Sequence, residues 1–73
     1  MNSFVLPYKG VMPRIASGVF VAPTGSVIGD VVIGNGSSVW FGTTVRGDFQ
    51  PVRIGCFTNM QDNTTIHVMG DVP

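Results

Sequence analysis

Apolar positions recur every six residues along most of this chain. Ile15, Val21, Val27, Ile33, Val39 and Val45 hold the beat, which slips by three residues and resumes at Ile54, Met60, Ile66 and Val72. Two residues ahead of these stand mostly small or β-branched partners: Val19, Gly25, Val31, Ser37, Thr43, Val52, Thr58, Thr64 and Gly70. Interior residues at i−2 and i, with an outward residue between them, describe a short strand with period-two alternation. Hairpin sheets carry turn signals about every 8–12 residues, so a chain that turns every six is not one of them. Short strands repeating at this pace predict a parallel β-helix, a solenoid in which each coil stacks on the last.

Composition narrows the class. The 73 residues allow one domain, with 44% apolar side chains, ten glycines, five prolines and 11% charged residues. Leu6 is the only leucine and glutamate is absent, which disfavours helices and favours β-branched strands joined by tight turns. Four basic and four acidic side chains cancel, leaving no electrostatic footprint for nucleic acid or an anionic membrane. The opening Met1–Met12 segment lacks a basic start and apolar core, so it does not read as a signal peptide, and no apolar run reaches membrane-spanning length. A lone cysteine, Cys56, makes no internal disulfide and suits a reducing compartment. Nothing nearby in sequence activates it. The expected setting is cytoplasmic.

The hexapeptide pulse resembles that of known hexapeptide-repeat proteins, in which three hexads make a triangular coil and the helix is left-handed. On that layout Ile15, Ile33 and Ile54 form one interior column, Val21, Val39 and Met60 a second, and Val27, Val45 and Ile66 a third. The expected fold is therefore all-β, a left-handed parallel β-helix of about three coils over residues 15–73, behind an irregular cap at residues 1–14. The slip at Asp48-Phe49-Gln50-Pro51 predicts a small protruding corner loop, because Pro51 has no amide for a ladder. Val72 falls on the beat as though another hexad were beginning, which reads as the N-terminal piece of a longer, truncated β-helix.

Stacking predicts neighbours that sequence distance hides. Arg46 follows Val45 and His67 follows Ile66, so both point outward on the third face in adjacent strands, about 4.8 Å apart. Asp48 lies two residues further along. Gln61 follows Met60, outward on the second face beside Trp40, with Asp62 at the next corner. The stretch VWFGTTVRGDFQPVRIGCFTNMQDNTTIHV, from Val39 to Val68, resembles the N-terminal half of the γ-class carbonic anhydrase-like family. The carrying elements are RGD, then IG, then TN-x-QD, then a histidine five residues after the aspartate.

The resemblance implies a homotrimer with a divalent metal, zinc or iron, held by three histidines between subunits, and His67 matches the first of these ligands. It implies that Arg46 and Asp48 form a salt bridge across the subunit interface. Asn59 and Gln61 would be the polar pair near metal-bound solvent, and Asp62 the acidic residue beside them. The implied chemistry is hydration of carbon dioxide to bicarbonate by a metal-bound hydroxide. The other two histidines of the family pattern lie downstream, and His67 is the only histidine here. Metal is accordingly expected to be weak or absent in this chain, and carbonic anhydrase (lyase) activity is open for it.

Plainer readings stand beside these. A strand histidine is often only a surface residue, Arg46-Gly47-Asp48 reads equally as a turn with a local ion pair, and Asn59 as a turn residue. Phe20, Trp40, Phe41 and Phe57 pack under the cap or onto a neighbouring subunit. Two other functions fit the pattern: a hexapeptide acyltransferase with His67 as general base, and a non-catalytic structural or assembly subunit.

Overall fold

The computed structural model describes residues 4–67, and the beat at Val72 with its partner Gly70 lies outside the described residues. Every regular element among them is a strand: β1 (Phe4–Leu6), β2 (Arg14–Ile15), β3 (Phe20–Val21), β4 (Ser26–Ile33), β5 (Ser38–Val39), β6 (Thr44–Ile54), β7 (Asn59–Met60) and β8 (Thr65–His67). Each named strand pair is parallel. Strands β3, β5 and β7 make the second face, while β4 and β6 bend round a corner and serve both the third face and the first.

The registers reproduce the three columns expected from the pulse. Ile15 pairs with Ile33 and Ile33 with Ile54; Val21 with Val39 and Val39 with Met60; Val27 with Val45 and Val45 with Ile66. Val27, Val31, Ile33, Val39, Val45, Val52 and Met60 are buried together, with Ile15, Val19, Val21, Ile54 and Ile66 packed against them. Each buried aliphatic side chain contributes about 1.5–3 kcal/mol of transfer free energy. β-Branched residues suit these columns because their stiff side chains stack well on a pleated surface.

Two interior positions are polar and still satisfied. Ser37 donates its hydroxyl to the Gly55 carbonyl at 2.7 Å and accepts the Thr58 amide at 3.0 Å, so it bridges two coils at a corner. Thr43 donates to the carbonyl of Gln61. Both are essentially inaccessible to solvent, where an unmade hydrogen bond is costly. Thr58, expected inside, is exposed; it lies on the last described coil, and its hydroxyl turns to the Gly55 carbonyl at 3.4 Å.

The slip departs from the expected corner loop. β6 continues through Asp48–Pro51 as extended chain, and pairing jumps from Gly29↔Gly47 to Val31↔Val52. Asp30 alone therefore faces Asp48–Pro51, an enlarged bulge in a continuous strand. Pro51 falls where β6 makes no pairing with β4, so its missing amide costs no ladder bond. Arg53 closes the bulge, with Nη1 3.1 Å from Asp30 Oδ1, 3.3 Å from the Asp30 carbonyl and 3.1 Å from that of Val52.

The leading segment is also more regular than expected. Val5 of β1 pairs with Val27, extending the third face by one strand. Tyr8 and Val11 then exchange both backbone hydrogen bonds across Lys9 (φ 50°) and Gly10 (φ 80°). Left-handed φ at both central residues is the mark of a type I′ turn, which sends the chain back towards the first face at Arg14.

Candidate active site

The sequence-predicted residues fall on two adjacent faces. On the third face the register places Leu6, Ile28, Arg46 and His67 in one column. Arg46 and His67 are thus direct strand neighbours; the His67 side chain itself lies outside what the structure describes. Arg46 reaches Asp48 on the same face of β6, with Nη2 at 2.7 Å and Nε at 3.2 Å from one carboxylate oxygen, Oδ2. The resemblance implies a salt bridge between subunits, whereas within a single chain the two residues pair with each other. The arginine side chain is 41% exposed and the aspartate 17%, so the pair is a modest local contribution of about 0.2–1 kcal/mol.

On the second face, Phe20, Ser38 and Asn59 share an outward column. Trp40 donates its indole Nε1–H to Ser38 Oγ at 2.8 Å, and Ser38 Oγ–H donates to Asn59 Oδ1 at 2.8 Å. The Trp40 ring is braced by Phe20 at a centroid distance of 4.9 Å and by Phe41 at 6.4 Å, tilted arrangements that aromatic pairs favour. Ser38 was not foreseen as a site residue. The signal was the Ser-Val-Trp alternation, which puts both polar groups on one face, one coil above Asn59.

Gln61 and Asp62 are exposed where the second face ends and the chain turns to the third. Their backbone is fixed on both sides. Thr43 holds the Gln61 carbonyl, and Asn63, at φ 59°, donates its amide to the Phe41 carbonyl at 2.9 Å. Asparagine tolerates this left-handed backbone. At the preceding corner Phe57 adopts φ 55° and is 79% exposed, an uncommon conformation for a bulky residue.

One chain therefore carries amide groups at Asn59 and Gln61 on one face, and Arg46, Asp48 and His67 on the next. The described surface encloses no pocket. No group of three or more His, Cys, Asp or Glu side chains gathers among the described residues. A catalytic zinc takes three protein ligands plus solvent, and the described side chains of a single chain do not gather such a set.

Comparison with known proteins places this geometry. No family model matches the chain. The mitochondrial γ carbonic anhydrase 2 of Arabidopsis thaliana is 55% identical over 56 residues, covering 77% of this chain and 20% of that protein. A carbonic anhydrase of Geobacillus kaustophilus is 48% identical over 63 residues, covering 86% of this chain and 35% of that one. A Bacillus cereus protein of known crystal structure, provisionally described as an acetyltransferase, superposes with a TM-score of 0.85 at 45% identity, covering 89% of this chain and 38% of its own. The chain spans a fifth to about a third of the curated relatives' length. Among the described residues there is no helix long and apolar enough to cross a membrane. Stacked hexad columns, parallel pairing throughout and these likenesses lead to one assignment: the chain is a left-handed hexapeptide-repeat β-helix of the γ-carbonic anhydrase-like family.

Proposed function

We propose that this chain supplies the N-terminal share of a γ-carbonic anhydrase-type site for the interconversion of carbon dioxide and bicarbonate, assembled between the subunits of a homotrimer. The observation that carries the reading is the strand register that sets His67 beside Arg46 across 21 residues of sequence, with Asn59 and Gln61 one face away. On this reading His67 is one ligand of a divalent metal, zinc or iron, and the remaining ligands come from outside these 73 residues. Asn59 and Gln61 offer carboxamides that hydrogen-bond and orient a small oxygen-rich substrate, and Asp62 adds a carboxylate beside them. Bringing the two half-sites together is the task of the subunit interface, with Arg46 and Asp48 at its edge.

Arg46→Ala is expected to weaken self-association while leaving the coil intact. Sedimentation velocity over a concentration series would show a trimer in the parent chain and a larger monomer fraction in the variant, with matching far-ultraviolet circular dichroism. A parent chain that stays monomeric at high concentration would sink the shared site. The description of the Bacillus cereus relative supports a transferase as the second reading. Acetyl-CoA consumption with small hydroxyl or amine acceptors, lost in His67→Ala, would favour that one instead.

A further inference from the structure

The Trp40–Ser38–Asn59 relay has a direction at each of its two hydrogen bonds. An indole nitrogen can only donate, so Ser38 Oγ must accept from Trp40 at 2.8 Å. The serine hydroxyl has two lone pairs and one proton, and in this arrangement it directs that proton to Asn59 Oδ1 at 2.8 Å. A carboxamide has two ends of nearly equal size, and the hydrogen-bond network decides which faces outward. With Oδ1 engaged, Asn59 turns its NH2 to solvent on the second face.

We infer that Ser38 and Trp40 are positioning residues that fix Asn59 as an N–H donor and so select a ligand that presents an acceptor oxygen, such as a small oxyanion. The inference rests on the proposed site for its ligand class but not for the relay itself. Trp40 suits the role because it is half-buried and braced by Phe20 and Phe41, whereas Asn59 is exposed and needs a partner to choose its orientation. Ser38 sits directly opposite Asn59 in the β5–β7 register, so the relay spans two coils without bending the backbone.

The test is side-chain amide NMR on the 15N-labelled chain, with bicarbonate as the probe and chloride at matched ionic strength as the control. In the parent chain the Asn59 Nδ2 protons should shift with bicarbonate, and the Trp40 Nε1–H should be slow to exchange. Ser38→Ala should weaken the bicarbonate response at Asn59 about five-fold, the worth of one hydrogen bond. Ser38→Thr should restore it, because the hydroxyl returns on a residue that favours strands. Trp40→Phe keeps the packing on Phe20 but removes the donor that orients the serine hydroxyl, so the Asn59 amide signals should shift. Asn59 signals unchanged in both Ser38→Ala and Trp40→Phe would overturn the inference. Signals that change in both variants without any bicarbonate response in the parent would support the relay and overturn the oxyanion ligand assigned to it.

Discussion

Gly47→Ala is expected to leave the chain without a cooperative folded state. A β-carbon at Gly47 would overlap the Asp30 carbonyl oxygen, with the Asp30 carbonyl carbon 2.7 Å away and Val31 Cγ2 2.9 Å away. On the facing strand Gly29 holds φ +79°, and a β-carbon there would come within 2.6 Å of the Gly47 carbonyl oxygen. Two backbones touch at this point, just before the bulge opens, and no rotamer change can separate them. Overpacking against fixed backbone of this kind costs about 1–3 kcal/mol, occasionally more. A core of this size rarely supplies more than about 3–5 kcal/mol. Gly10 is the control, because it also has positive φ (+80°) but no neighbouring atom within 4 Å. Gly10→Ala should cost only about 1–2 kcal/mol, the left-handed backbone penalty alone. Urea melts followed by circular dichroism should show a transition for Gly10→Ala and none for Gly47→Ala. A Gly47→Ala chain within about 0.5 kcal/mol of the parent, the range of neutral surface changes, would mean that the two strands do not meet as described.

The second result expected is an absence of catalysis. The 73-residue chain, supplied with zinc, should hydrate carbon dioxide no faster in stopped flow than the same zinc in buffer. A catalytic zinc takes three protein ligands; the chain has one histidine, and no three potential ligand side chains gather among the described residues. Zinc-dependent hydration that disappears in His67→Ala would contradict this and show that subunits pool their histidines.

Much of the architecture was legible because a solenoid turns sequence distance into spatial adjacency. Once the period and the number of hexads per coil are set, Ile15 must lie under Ile33 and Arg46 beside His67, and the registers agree. Features that depend on backbone path were not legible. A proline after Asp48-Phe49-Gln50 reads as a loop, yet β6 stays extended there, with Arg53 and Asp30 paired across the bulge. The turn at Lys9-Gly10 frees β1 to join the third face, an outcome with no hexapeptide signature. At the proposed site, residue types pointed to Asn59 and Gln61, whereas the hydrogen bonds from Trp40 to Ser38 and from Ser38 to Asn59 emerge only in the folded face. Hydrogen-bond direction is a property of the assembled face and is absent from the pattern along the chain.

Zinc titration followed at the His67 imidazole by NMR reads the metal-binding role directly. The imidazole resonances of the parent chain should move with zinc, recover when a mild chelator is added, and show weak binding befitting an incomplete ligand set. The Asn59 and Gln61 side-chain amides should respond in the same titration if the interface joins the two half-sites. Zinc that leaves the His67 ring unperturbed, while the chain remains folded and trimeric, would contradict its assignment as a metal ligand.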